Sequence, residues 1–571
     1  MRIHPSAIFH LRPLVVTKVA WILGLAVYLV FPILELAGQA TDTEVNWTHH
    51  HRTWSAHRFA PIDQINRQNV QQLKVAWAFS LGVPGGLEGT PVVENGFIYI
   101  TSGWGEVFKL DLRNEGKLVW KFDPKVPRDV ARVVCCGINN RGVAIDHDLI
   151  IVHTLDGRVI AIDKYTGKAA WRTRLANPEK GESFTAAPLI AEGKIFVGVA
   201  GGEYGIRGWI AAVDLKTGNE VWRTHTIPGP GEPGHETWAG DSWKTGGGPT
   251  WITGSYDSEL KTLYWGVGNP GPDWDPSYRP GDNLYTSSVL ALNPSNGKIK
   301  WHFQYTPADA WDYDGNNESI LLDAFIGGQH RKALIHADRN GFFYALDRMT
   351  GKFIYAVPFV DKLTWTSGLD PKTGRPLDRN SKTIPSRDNP RAFTCPGNMG
   401  GKNWPPMSYS PIEGLAFIPV IESCNVLTHE PSTFKPGQLF LGGGLDNTQF
   451  EIKGSLTAIN VAKGEVQWKT RTNSPLLGGT LSTAGGLVFT GHPDGRFAAY
   501  HSLTGKELWH FQVGTAINAP PISYTVGGQQ QIAVLAGTGG AWPLWFMDST
   551  PWLANIRPGA MLFVFEVESN K

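Results

Sequence analysis

Along most of this chain, short alternating apolar stretches break at one kind of point: an Asp or Asn, a glycine turn, then an aromatic residue. The pattern reads "AIDKYTGKAAW" to Trp171, "AVDLKTGNEVW" to Trp222, "ALNPSNGKIKW" to Trp301 and "ALDRMTGKFIY" to Tyr355. It continues as "AINVAKGEVQW" to Trp468 and "AYHSLTGKELW" to Trp509, and a version longer by one residue, "KLDLRNEGKLVW", ends at Trp120. Each unit predicts a hairpin: apolar alternation makes one strand, T-G or N-G supplies the turn, and the aromatic lies on the returning strand. Trp77 in "QLKVAW" predicts an eighth outer strand whose partners come from elsewhere.

Most spacings are about 40–55 residues, the range of propeller blades or solenoid repeats rather than of separate globular domains. Longer gaps before Trp301 and Trp468 mark insertions. Antiparallel hairpins at blade spacing favour closure. The expected architecture is therefore all-β, an eight-bladed β-propeller with tryptophan-docking repeats over residues 41–571, seven blades being the competing count. The last strand, "AMLFVFEV", is expected to complete a blade begun near "EVNWTHH" and so to join the termini.

Composition narrows the function. The 66 Gly and 23 Trp among 571 residues suit short strands joined by tight turns. A formal net charge of +1 without long charged runs argues against nucleic acid as a partner. Residues 1–40 read as an export signal: Arg2, Arg12 and Lys18 precede the apolar run from Val19, and "AGQA" offers a cleavage site. A retained membrane anchor is the competing reading. Either places the folded part outside the cytoplasm, where disulfides persist, and the periplasm is the expected location.

Two of the four cysteines, Cys135 and Cys136, are adjacent. Neighbouring Cα atoms stand about 3.8 Å apart, closer than the roughly 4.4–6.8 Å of an ordinary disulfide. The pair is either a strained eight-membered ring or two buried thiols, and export favours the ring. Cys395 and Cys424 then read as an ordinary staple. No C-x-x-C-H motif for covalent haem is present.

The insertions concentrate polar residues among glycines: Glu203 in "GGEYG", Asn269 in "GNPGPDWD", Asp312 and Asp314 in "WDYDGNNE", Arg339 in "HADRNG". Each taken singly is by default a turn residue. Together they offer hard oxygen ligands and one cation, the set that suits a carboxylate-bound metal.

In order along the chain, "VCCGINNRG", "GGEYGIRG", "GDSWKTGGGPTW", "GNPGPDWD…RPGDNLYTSS", "WDYDGNNE" and "HADRNGFFYALDR" resemble the signature segments of quinoprotein alcohol dehydrogenases. These are the methanol and ethanol dehydrogenase family, which uses pyrroloquinoline quinone (PQQ). The resemblance runs from about Val45 to Val567. It implies that the Cys135–Cys136 ring floors the quinone and Trp243 covers it. By the same matching, Glu203, Asn269, Asp312 and Asp314 resemble the metal's ligands, and Asp312 the base that takes the alcohol's proton. Arg339 resembles the cation beside the quinone oxygens, and Glu88, Arg141, Thr185 and Asn403 match positions that hold the cofactor. The implied reaction is hydride transfer from an alcohol to metal-bound PQQ, giving an aldehyde or ketone and passing electrons to a c-type cytochrome.

Within that resemblance Asp314 selects the metal. Calcium-using members generally carry a small residue there and lanthanide-using members an Asp; three carboxylates better match a trivalent ion. A lanthanide is expected, with Ca²⁺ as the alternative. Ala200 and Leu477 stand where methanol-oxidising relatives usually have Ser and Trp, and the loop at "NPGPDWD" is one residue longer. These departures suggest a roomier alcohol pocket. Competing readings are a sugar or aldehyde quinoprotein and a non-catalytic envelope scaffold. The oligomeric state is open, a homodimer included.

Overall fold

The computed structural model describes residues 44–82, 85–448, 450–540 and 549–568. The export segment at 1–40 lies outside the described residues.

The predicted hairpins form, and "AVDLKTGNEVW" shows why. Strand Trp209–Asp214 ends on Asp214, whose Oδ1 accepts from the Thr217 N–H at 2.8 Å and the Thr217 hydroxyl at 2.8 Å. Gly218 then takes φ 74° and donates its N–H to the Asp214 carbonyl at 2.9 Å. This is a side-chain-capped turn of the kind Asp and Gly favour. The chain returns as Glu220–His225, and Trp222 lands opposite Ala212 after a shift in register. The same small-against-aromatic pairing recurs as Trp171 with Ala161, Trp301 with Ala291, Tyr355 with Ala345, Trp468 with Ala458 and Trp509 with Ala499.

Six of these aromatics bond out of their own hairpin to a neighbouring segment. The indole N–H of Trp120 donates to the Lys164 carbonyl at 3.1 Å, Trp171 to Leu215 at 3.2 Å, Trp222 to Pro294 at 3.0 Å and Trp468 to Ser502 at 2.7 Å. The Tyr355 hydroxyl does the same to Val461 at 2.7 Å. Trp509 donates to Leu73 at 3.0 Å, linking the last complete hairpin to the start of the described chain.

Among the described residues there are seven four-stranded sheets and one of five, besides two smaller ones. Six four-stranded sheets are contiguous stretches of chain, apart from insertions. The remaining one pairs Lys74–Ser80 with Met561–Glu566, followed by Gln529–Ala536 and Ile522–Val526. The expectation for the last strand is thus corrected: its partner is the Trp77 strand. The "EVNWTHH" segment adds no strand of its own: Val45 bonds to Thr525 at the far side of that same sheet, and Trp47 bridges to Val93 of the first sheet. Trp47 is fully buried there, so this stretch serves as core packing against a sheet that is already complete.

Antiparallel order decides where chemistry can be placed. The first strand of a sheet begins, and its second ends, on the same edge. Connections between sheets and loops between second and third strands therefore share one edge, while the glycine turns sit on the other.

Candidate active site

Every residue singled out for chemistry lies on that one edge. Glu88, Cys135, Cys136, Arg141, Thr185, Asp312, Asp314 and Asn403 stand in segments leading into first strands. Glu203, Asn269 and Arg339 come after second strands. Around one cavity of about 350 Å³ the structure gathers Glu88, Cys135, Cys136, Arg141, Thr185, Glu203, Asp312, Arg339 and Asn403. Asn269 and Asp314 sit just behind its wall, each nearly fully buried.

Cys135 and Cys136 form a disulfide with Cα atoms 3.8 Å apart, and Cys395–Cys424 a second one. The Glu203 carboxylate and both vicinal sulfurs lie within 4.8 Å of one another. Since the sulfurs are bonded together, this triad is one wall of the cavity rather than a thiolate metal site.

The acidic loop is held from behind. Asp309 accepts the N–H groups of Trp311 at 2.9 Å, Tyr313 at 2.8 Å and Asp314 at 3.2 Å. That wrapping sets Asp312 and Asp314 at φ 64° and 57°, a left-handed backbone that Asp tolerates. Arg339 then spans the two carboxylates, Nη1 at 3.3 Å from Asp312 Oδ1 and Nη2 at 2.5 Å from Asp314 Oδ2. The Asn269 N–H donates to Asp314 Oδ1 at 2.9 Å, which ties the fourth sheet's loop to this turn. Opposite, Glu88 and Arg141 pair at 2.8 Å, both buried.

Crowded, buried acids resist ionisation. Burial raises Glu203 to about 6, with Asp314 adding to the shift and Arg339 opposing it. Asp312 lies well above the ordinary range, first through burial; Arg339 opposes the shift, and Asp314, Asp273 and Glu203 reinforce it. Burial alone would lower Arg339, yet Asp314, Asp312, Asp309 and Glu203 hold its affinity for the proton above the ordinary value.

Two expectations are corrected. Trp243 does not face the cavity. It sits on the 3-10 turn Ser242–Thr245, edge-on to His235 at 5.7 Å and 5.0 Å from the Arg207 guanidinium. The aromatic wall is Trp251, with the guanidiniums of Arg141 at 4.9 Å and Arg339 at 5.7 Å from its ring. The glycines between the two tryptophans decide this. Gly247 donates to the Ile206 carbonyl and Gly248 to Asn269, both at 2.9 Å, so the chain is pinned beside the loops carrying Glu203 and Asn269. Trp251, beyond the pin, enters the cavity, and Trp243, before it, stays outside. A signal for Trp251 was present: it stands four residues before its first strand, as do Glu88 and Thr185. Leu477, expected at the slot, packs instead with Met399, Ile421, Ile452 and Leu553 behind the wall, whereas Ala200 does line the cavity.

The family description "PQQ: Glucose/ethanol/alcohol dehydrogenase, beta-propeller domain" matches residues 47–361 and 452–532. Quinoprotein alcohol dehydrogenase PedH of Pseudomonas putida is 41% identical over 541 residues, 89% of each chain. The chain belongs to the PQQ-dependent alcohol dehydrogenase family. The quinoprotein ethanol dehydrogenase of Pseudomonas aeruginosa is 38% identical over 563 residues, 90% of this chain and 89% of that one. A europium-containing methanol dehydrogenase superposes with a TM-score of 0.87 at 34% identity, covering 92% of this chain and 99% of its own.

The residues of this quinoprotein fit the groups that its family uses. Glu203, Asp312, Asp314 and Asn269 offer the hard oxygens a cation needs. The disulfide ring and the Trp251 indole are both flat-faced groups on one cavity, suited to a planar ring system. Sequence reasoning missed one further acid on the wall, Asp273, along with Ser183, Asn398 and Trp404.

Proposed function

We propose that this enzyme oxidises an alcohol with PQQ and a lanthanide ion in the periplasm, handing electrons to a separate c-type cytochrome. The observation carrying this reading is the Arg339 clamp on Asp312 and Asp314, in an acidic site where three carboxylates, Asp314 buried and Glu203 and Asp312 half-buried, outnumber one guanidinium. Such an excess of negative charge is offset better by a +3 than by a +2 ion. We read the eight principal sheets as eight blades, closed through the Lys74–Ser80 and Met561–Glu566 pairing and stapled by the aromatic contacts between hairpins.

When bound, PQQ supplies the two-electron acceptor and the cation supplies Lewis acidity. Glu203, Asn269, Asp312 and Asp314 would hold the cation, and Glu88, Arg141, Thr185 and Asn403 would hold the polar rim of the cofactor, with the vicinal disulfide and Trp251 available to its faces. Asp312 carries the free edge of its carboxylate into the cavity and takes the hydroxyl proton of the alcohol. Arg339 fixes its orientation and would stabilise negative charge on the acceptor side. Leu439 and Leu441 line the same space and leave room for an alkyl group. Among the described residues no helix is long and apolar enough to cross a membrane.

The test is a dye-coupled assay of metal-free protein supplied with PQQ and either Ca²⁺ or La³⁺, over a ladder of alcohols, repeated with Asp314→Ala. Turnover is expected with La³⁺, little with Ca²⁺, and loss of the La³⁺ response in the variant. Full turnover with Ca²⁺ and no gain from La³⁺ would refute the metal assignment.

A further inference from the structure

The cavity holds a carboxylate that the ligand set above does not use. Asp273 lies in the longer loop at "NPGPDWD", is 3% exposed and faces the cavity that also holds Glu203 and Asp312. Its Oδ1 is buried and has no hydrogen-bond partner. Most of its acidic neighbours are answered: Asp312 and Asp314 by Arg339, Glu88 by Arg141, Asp309 by three backbone N–H groups and the Ser287 hydroxyl. A buried, unpaired carboxylate is among the most costly arrangements in a protein interior, so a cation belongs near it.

The Arg279 guanidinium acts on this charge from nearby but makes no bond to the carboxylate. Arg279 spends its donors on the carbonyls of Pro272 at 3.0 Å, Asp273 at 3.0 Å and Asp309 at 2.6 Å, and on Asn283 Oδ1 at 2.9 Å. It grips the backbone of the Asp273 loop and the acidic loop together, and leaves the Asp273 carboxylate free. From the other side Trp274, fully buried, donates its backbone N–H to the Leu441 carbonyl at 2.8 Å. With Trp274 directed into the core and both flanks tied, Asp273 is aimed into the cavity by rigid neighbours.

We propose that Asp273 is an additional anionic donor at the cation site, completing a four-carboxylate cage that selects a trivalent over a divalent ion. The proposal rests on the functional reading above and extends its ligand set. Its electrostatic logic is simple. One more negative charge attracts a +3 ion half again as strongly as a +2 ion at the same distance, so it raises the ratio of the two affinities and not only their size. The mutual repulsion of the bare acids agrees: burial first, then the Glu203 charge, pushes the Asp273 carboxyl well above the ordinary range against the opposing pull of Arg279.

The test uses full-length protein freed of metal, with binding read directly rather than through turnover. Tb³⁺ luminescence with La³⁺ and Ca²⁺ competition gives both affinities for the unaltered enzyme, Asp273→Asn and Asp273→Ser. Asp273→Asn is expected to weaken La³⁺ by about 10-fold or more and Ca²⁺ by less, lowering the La³⁺/Ca²⁺ affinity ratio. Asp273→Ser should repeat the result, which guards against a misfolded variant, and an unchanged melting curve certifies each protein. An unchanged ratio in both variants overturns the proposal while leaving the functional reading intact. So does a changed Michaelis constant for polyhydroxy or amino alcohols at constant ratio, which would make Asp273 a substrate contact. Absence of La³⁺ binding by the unaltered enzyme would instead sink the functional reading, and this inference with it.

Discussion

At the scale of single residues, position relative to the strands outweighs residue type. Trp243 and Trp251 are chemically identical and eight positions apart, yet only the latter lines the cavity. If Trp251 forms one face of the cofactor slot, Trp251→Ala should weaken PQQ binding by at least about 10-fold, through loss of a large flat contact. Trp243→Ala should leave it unchanged. Equilibrium dialysis of PQQ against the two variants checks this; equal losses would mean that the wall does not carry the cofactor. Asp312 and Asp314 show the same dependence on setting. Their left-handed backbone and shared guanidinium come from Asp309 and Arg339, which the local sequence does not announce.

At the scale of elements, the glycine turn and the preceding aromatic form one unit of cohesion. A Cβ on Gly218 would lie 2.6 Å from the Trp171 ring and 2.7 Å from Thr173 Oγ1, with φ at +74°. Gly193 has a similar φ of +68° but open space around it. Gly193→Ala is therefore expected to cost about 1 kcal/mol from backbone strain alone. Gly218→Ala should cost about 2 kcal/mol or more, because the indole must also move. Urea unfolding of both variants measures the difference, and equal costs would show that the aromatic contact adds nothing to the strain. Since these turns lie on the edge opposite the cavity, alcohol turnover of the folded Gly218→Ala protein should be unchanged.

At the scale of the molecule, continuity is achieved by the two ends of the described chain. Met561–Glu566 lies between Lys74–Ser80 and Gln529–Ala536, so it is an interior strand of its sheet. Deleting residues after Gly559 would expose two strand edges and strip Lys74–Ser80 of its ladder. The truncated chain is expected to lose cooperative melting and PQQ retention together in calorimetry and dialysis. A truncated protein that melts like the intact one would show the closure to be dispensable. Much of this architecture was legible in advance, because hairpins are local. Ten residues separate Ala212 from Trp222, and Asp214 with Gly218 fix the turn between them, so short-range hydrogen bonds and φ preferences suffice. The paired cysteines and the acids of the insertions were legible for the same reason, as types at spacings within one segment. What the sequence could not decide was which segments meet. The Trp77 strand found its partner almost five hundred residues away, Trp251 displaced Trp243, and Asp273 emerged as an unanswered charge only once Arg279 was seen to be spent on carbonyls. Those outcomes depend on packing and electrostatics between distant loops, whose energies exist only after the chain has folded.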